Sequence, residues 1–252
     1  MLYNLLSATD LSADPGTWPV YQTYQDIAAS GTGTNTLDGV PLSGTPRFFA
    51  IAEFPAPPVT VLSEDFESGT GDWTEGGYPA DTPVAGENAD VGLTVWPLPP
   101  ATPSVAGPVP PGVPLPSGSN CVGTKIDGNY VDDVNRWLRS PEITLTGASR
   151  ATLTLQQYRD IEDVGADPDA GSIRILRASD NTELAVIEDA TIDGSSGGAW
   201  EEYSKVITAA AHPDVFDGAN NPVKIEFRFH ADEFNDADHA GWYLDDVTVT
   251  VP

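Results

Sequence analysis

A single cysteine, Cys121, stands in the 252 residues of the chain. One thiol excludes an internal disulfide framework and a cysteine-rich zinc site. Nothing beside it in sequence would depress its pKa, so it reads as a small buried apolar residue rather than a reactive thiol. Positive charge is scarce too. The chain carries 11 Lys and Arg against 38 Asp and Glu, a net charge of −27. Such a field repels phosphate backbones and anionic lipid, which argues against nucleic acid or an anionic membrane as partner. No stretch approaches the roughly 20 apolar residues of a membrane span, and no basic-then-apolar leader opens the chain. Met1 runs straight into Leu2-Tyr3-Asn4-Leu5-Leu6, which reads as the middle of a β element and is expected of a piece of a longer protein. Helical periodicity is also missing, apart from a short turn at Thr208 to Ala211.

What is present is a β pattern. Apolar residues at 40% and aromatics at 9% keep the chain out of the disordered class despite its charge, which fits metal-binding loops, a saline environment, or both. In residues 1–54 the strand candidates are Tyr3 to Ala8, Pro19 to Ala28, Thr34 to Leu37 and Arg47 to Ala52, with a turn at Asp14-Pro15-Gly16. Residues 55–58 continue a Pro-Ala-Pro-Pro linker that stiffens toward an extended spacer. From residue 59 to 252 the chain is punctuated by short β runs between Gly, Asp, Asn and Ser clusters. These are Thr60 to Glu67, Leu93 to Trp96, Asn120 to Lys125, Arg136 to Arg139, Ala151 to Tyr158, Ser172 to Leu176, Glu183 to Ile187, Glu201 to Ile207, Val223 to Phe229 and Gly241 to Val251. The expected class is all-β, an antiparallel jelly-roll β-sandwich with a small N-terminal β segment. Nine prolines between Pro97 and Pro116 exclude a central strand or helix there and predict a long surface loop.

The last strand is the most informative. At period two, Tyr243, Val247, Val249 and Val251 line one face, and Leu244, Thr248 and Thr250 line the other. Asp245 falls on the apolar face, where an ionised carboxylate without a partner costs several kcal/mol. Upstream, His230 to His239 holds four acids and no Lys or Arg. A divalent cation, above all Ca²⁺, is the simplest partner for this charge. Asp65 and Glu67 sit two apart on the expected first strand, facing one way, and Asp245 and Asp246 open the last. With Asn129 of Asp127-Gly128-Asn129-Tyr130 as a neutral oxygen ligand, these five are the candidate metal residues. Solvated edge charges are the bland alternative. Asp160-Ile161-Glu162-Asp163 with Asp167-Pro168-Asp169 lacks the spacing of a calcium-binding loop and reads first as a solvated hairpin tip, with a second cation as the alternative. His212, His230 and His239 lack metalloprotease spacing. Among the loop aromatics Trp73, Tyr78, Trp96, Tyr130 and Trp200, Trp96 and Tyr130 are the candidate ligand-binding faces, against core packing as the alternative.

Three motifs carry a family resemblance. Asp65-Phe66-Glu67 with Gly71-Asp72-Trp73, Trp137-Leu138-Arg139-Ser140-Pro141, and Gly241-Trp242-Tyr243-Leu244-Asp245-Asp246-Val247 together resemble the MAM-like jelly-roll domain of secreted bacterial proteins such as immune inhibitor A-type peptidases. Leu6 to Leu11 and Pro46-Arg47-Phe48-Phe49 resemble the tail of a fibronectin-type-III-like module. The resemblance implies a concanavalin-like jelly roll without catalysis, often with Ca²⁺ joining its first and last strands. The animal members' paired cysteines are absent here. The expected function is a non-catalytic, Ca²⁺-stabilised extracellular or cell-surface module that binds a glycan or a surface protein beside neighbouring domains of its parent. The alternatives are a self-assembling module of a surface layer or filament and, less favoured, a glycoside hydrolase or other hydrolase using paired carboxylates.

Overall fold

The structure is a computed structural model that describes residues 2–28, 36–37, 39–41, 45, 47–54, 56–69, 71–77, 113–124, 129–130, 135–163, 169–232 and 239–252. Its chain divides into two compact units, Met1–Pro58 and Val59–Val251. The expected strand at Leu93 to Trp96, and Trp96 itself, lie outside the described residues, as does most of the proline-rich run.

The first unit is a three-stranded antiparallel sheet. β1 (Leu2–Ala8) lies between β2 (Ile27–Ala28) and β3 (Phe48–Phe54). The expected long strand from Pro19 to Ala28 is instead a bridge at Val20 followed by two paired residues. Asp26 at a φ of 54° and Gln22 at 53° turn the chain out of the extended region between them. Leu6, Trp18 and Tyr21 are buried, and Tyr21 packs edge-on against Phe49 at 5.2 Å.

The second unit is an antiparallel jelly-roll sandwich. Its strands are β4 (Val59–Glu64), β5 (Thr74–Gly77), β6 (Val122–Gly123), β7 (Asn135–Arg139), β8 (Arg150–Asp160), β9 (Ala170–Arg177), β10 (Glu183–Ile192), β11 (Glu201–Thr208), β12 (Val223–His230) and β13 (Gly241–Val251). One five-stranded sheet runs β10-β9-β12-β7-β5; the other runs β11-β8-β13-β4, with β6 also on β13. Alternation builds the core. Leu153 and Leu155 of β8 face Ile173 and Ile175 of β9 and Phe227 and Phe229 of β12 in one buried cluster. Each such side chain contributes about 1.5–3 kcal/mol when fully buried. Among the described residues of this unit, a four-residue helix, Pro213–Phe216, interrupts the β elements.

The last strand departs from simple alternation, and the departure decides where its side chains go. Asp245 pairs with Gln156, but Thr248 pairs with Thr154, so β13 carries one extra residue at this point. Asp246, at a φ of 49°, is that bulge. An extra residue flips every side chain beyond it to the other face. Trp242 and Leu244 before the bulge, and Val247 and Val249 after it, therefore all enter the main core. Tyr243 does not share a face with Val247, as period two predicts. It packs instead with Cys121, Tyr158 and Ala240 in a second cluster. Tyr243 needs glycine beside it: a Cβ on Gly123 would sit 2.0 Å from its ring.

Candidate metal centre

β4 and β13, the first and last strands of the sandwich, pair antiparallel with Glu64 opposite Val247. That register brings Asp65 and Glu67 up to the bulge at Asp245 and Asp246. Asp65 and Glu67 are not on the strand, however. β4 ends at Glu64, and Phe66 turns at a φ of 56° with its amide donating to Glu64 Oε1 at 3.0 Å. A carboxylate that captures its own downstream amide favours a turn over a ladder. The Glu67 amide likewise donates to Asp65 Oδ1 at 3.1 Å.

A returning segment, 113–121, closes the arrangement. Glu67 Oε1 accepts the amides of Ser119 at 2.7 Å and Asn120 at 2.6 Å, and Oε2 accepts the Ser119 hydroxyl at 3.1 Å. The Ser119 amide is the leading cause holding the Glu67 carboxyl below its usual range. Ser117 Oγ donates to Asp246 Oδ1 at 2.8 Å. Val113 and Leu115 pack on the Tyr243 cluster.

Asp245 lies at the centre with 0% exposure. Its Oδ1 accepts the amide of Asp246 at 2.8 Å, but its Oδ2 is buried and has no hydrogen-bond partner. Burial, followed by the charges of Asp246, Glu67 and Asp65, pushes its pKa up to about 8. The same burial pushes the neighbouring Cys121 thiol up, with Asp245 and Glu67 adding to it. An orphaned carboxylate oxygen among acids is short of a partner, which a hard divalent cation with oxygen ligands would supply. By donor type these residues suit such an ion, with Glu67, Asp245 and Asp246 foremost and the exposed Asp65 at the margin, but no three of their carboxylates close to within 4.8 Å of one another. Asn129 is half-buried.

Three other acids come closer together. Glu162 follows β8, Asp169 precedes β9, and Asp232 follows β12; one carboxylate oxygen of each lies within 4.8 Å of the others. They converge because His230 pairs with Ala170, which brings the end of β12 to the start of β9. Asp169 is fully buried and Glu162 is 7% exposed, so the expected solvated hairpin tip is corrected for these two. Both residues are hydrogen-bonded to Tyr130, Asp169 through its carboxylate and Glu162 through its amide. Like charges at this separation repel by roughly 3 kcal/mol per pair at an effective dielectric near 20. Sequence reading missed the convergence, since the three acids come from two connections that each read as polar.

Tyr130 is a correction as a ligand-binding face. It is 2% exposed, packs edge-on against Phe229 at 5.0 Å, and donates its hydroxyl to Asp169 Oδ2 at 2.5 Å. The Tyr130 hydroxyl oxygen in turn accepts the Glu162 amide at 3.1 Å. A ring so enclosed offers no surface for stacking. Trp73 is core as well, tilted against Phe66 at 5.4 Å, and Trp200 is half-buried beside Tyr158. His239 Nδ1 lies 3.2 Å from Asp160 Oδ1, outside the triad.

No family model matches the chain. The chain is 24% identical over 195 residues to bacillopeptidase F of Bacillus subtilis, covering 77% of this chain and 11% of that protein. Among solved structures it is similar to the K1 cleaved adhesin domain of Lys-gingipain from Porphyromonas gingivalis, at 18% identity and a TM-score of 0.43 over 76% of this chain and 97% of that one. It is similar also to a carbohydrate-binding module of Cellvibrio mixtus lichenase 5A in complex with cellotriose, at 10% identity and a TM-score of 0.37 over 76% and 97%.

Proposed function

We propose that the chain is a non-catalytic, Ca²⁺-stabilised binding module of a larger extracellular or cell-surface protein, of the MAM-like jelly-roll type, with a glycan or a surface protein as its ligand. The observation that carries the reading is the buried, unpartnered Oδ2 of Asp245 where the first and last strands of the sandwich meet. A cation held by Glu67, Asp245 and Asp246 clasps the two ends of the domain. That clasp leaves the loops at the sandwich rim free to carry recognition. The absence of any membrane-length apolar helix among the described residues accords with attachment through neighbouring domains of the parent. Trp96 remains the aromatic to test for sugar stacking.

The test is binding of the full chain to immobilised glycan panels and to cell-surface protein extracts, in Ca²⁺ and in EDTA. Saturable binding in Ca²⁺ that Trp96→Ala weakens supports the reading. Turnover of any glycan offered, with release of a shortened product, overturns it in favour of a hydrolase.

One observation favours the self-assembling alternative. β3 is the edge of its sheet and carries exposed Phe48, Phe49 and, at 73% exposure, Ile51. An open apolar edge is a template for another strand. Light scattering across a concentration series decides it. Association that Ile51→Glu abolishes favours assembly, and a monomer throughout favours the isolated binding module.

A further inference from the structure

We propose a second cation site, separate from the Asp245 clasp, at Glu162, Asp169 and Asp232, built for a hard divalent ion such as Ca²⁺.

The convergence of three carboxylates is not the whole of the case. Asp169 and Asp232 are engaged: Asp169 accepts the Tyr130 hydroxyl on Oδ2 and the Asp232 amide at 2.7 Å on Oδ1. Glu162 is different. It is more than nine-tenths buried, its carboxylate has no hydrogen-bond or charge partner among the described residues, and one of its oxygens lies within 4.8 Å of an oxygen of each of the other two acids. A buried glutamate held against two other acids needs a positive charge at that point. Among the described residues no basic side chain supplies it. The hydrogen bonds around the triad are arranged to serve an ion. The Tyr130 hydroxyl and the Asp232 amide both fix Asp169, the most buried of the three, and the Glu162 amide fixes the Tyr130 oxygen in turn. Orienting contacts of this kind hold ligands in place around a metal. Three carboxylates supply half of the six to eight oxygens that Ca²⁺ takes, with waters and backbone carbonyls for the rest; Mg²⁺, which dehydrates reluctantly and demands octahedral geometry, fits less well.

The ion would join the end of β8, the start of β9 and the exit of β12. It would thus pin both connections, residues 161–169 and 231–240, at one end of the sandwich. The clasp at Asp245 ties the first strand to the last. The triad ties connections within the middle of the chain, so the two sites are separable by mutation.

The test is the Ca²⁺ stoichiometry of the full chain after chelator treatment, by calorimetric titration and by metal analysis of dialysed protein, with Mg²⁺ as the comparison ion. Wild type is expected to take up two Ca²⁺ per chain. Glu162→Gln and Asp169→Asn should each remove one, and Asp245→Asn should remove the other. Glu162→Gln keeps the shape of the side chain, and Asp169→Asn keeps an acceptor for Tyr130. Their far-UV spectra and unfolding midpoints in EDTA should match wild type or exceed it, because repulsion is relieved. If Glu162→Gln binds as many ions as wild type while Asp245→Asn binds one fewer, the second site is overturned and the clasp stands. If Asp245→Asn changes nothing while Glu162→Gln loses the ion, the triad stands and the clasp falls. Wild type without any bound Ca²⁺ overturns both.

Discussion

Two groups of acids sit in one sandwich, and they are built in opposite ways. Around Asp245, the acids come from the two ends of the domain and meet across a strand pair. Only Asp245 is fully buried there, while Glu67 is satisfied by the amides of Ser119 and Asn120. Around Asp169, the acids come from connections and two of the three are buried, with Tyr130 as their shared polar anchor. A fourth buried acid shows what a chain does when it supplies its own cation. Glu226, at 0% exposure, meets Arg139 Nε and Nη2 at 2.7 Å each, and that guanidinium lies 3.7 Å above the Trp137 ring. Burial of a carboxylate is therefore common to all three places. What separates them is the partner: Glu226 meets a basic side chain of the chain itself, whereas Asp245 keeps one oxygen without a hydrogen-bond partner.

The largest effect should appear in the metal-free protein as a function of pH. Asp245 has its folded pKa raised from 3.8 to about 8. Between those values the folded state holds a proton that the unfolded state has lost, so stability falls as pH rises through the window. The ceiling is about 6 kcal/mol, at roughly 1.4 kcal/mol per unit of pKa. Urea unfolding in EDTA at pH 5 and pH 8 should show the drop, and Asp245→Asn should remove most of it. A flat profile in wild type would mean that Asp245 finds a partner in solution without metal.

Next in size is Glu226→Ala. Removing one partner of a buried pair takes the carboxylate from Arg139, at about 3–5 kcal/mol. The loss should be the same in EDTA and in Ca²⁺, measured by denaturant midpoint. Any rescue by Ca²⁺ would blur the distinction between Glu226 and Asp245. Calcium itself should follow. An ion bound only by the folded state at 100 times its Kd stabilises by about 2.7 kcal/mol, or roughly 5–10 °C in midpoint for a domain of this size. Asp245→Asn and Glu67→Gln should each remove the share that comes from the clasp. A shift unchanged in both variants would sever the clasp from calcium.

The two acid groups also mark how far the sequence could be read. The all-β class was plain, because strands such as Ala151 to Tyr158 alternate and turn signals separate them. Asp245 stood out because a carboxylate inside an apolar strand violates a local pattern. The bulge at Asp246 was hidden. An extra residue with positive φ leaves no periodic trace in an eleven-residue strand, and it moved Tyr243 out of the main core. The turn at Phe66 was hidden for a related reason: Glu64 and Asp65 each capture a nearby amide, which only the folded backbone reveals. The triad was unreadable in another sense. Glu162, Asp169 and Asp232 are ordinary acids in acidic connections, and their meeting depends on the pairing of β12 with β9. Tyr130 misled for the same reason, since an aromatic in a polar loop looks exposed until Phe229 and Asp169 enclose it.

Tyr130→Phe gives the finest division between the two groups. The substitution keeps the ring against Phe229 and deletes only the hydroxyl, so the core contact survives. What is lost is a hydrogen bond to a carboxylate, which contributes about 1.5–3 kcal/mol, and an acceptor for the Glu162 amide. Freed from the hydroxyl, Asp169 keeps the Asp232 amide alone on its other oxygen. Its orientation toward Glu162 then loosens, and Ca²⁺ affinity at the triad should fall by about tenfold or more, as when other orienting contacts around metal ligands are lost. Affinity at Asp245 should not move, because no contact links Tyr130 to Glu67 or Asp246. A titration in which both classes of site weaken together would mean that one cooperative unit, rather than two independent ones, holds the ends of the sandwich. A titration in which neither weakens would make the hydroxyl a purely structural contact, visible in the unfolding midpoint and silent toward calcium.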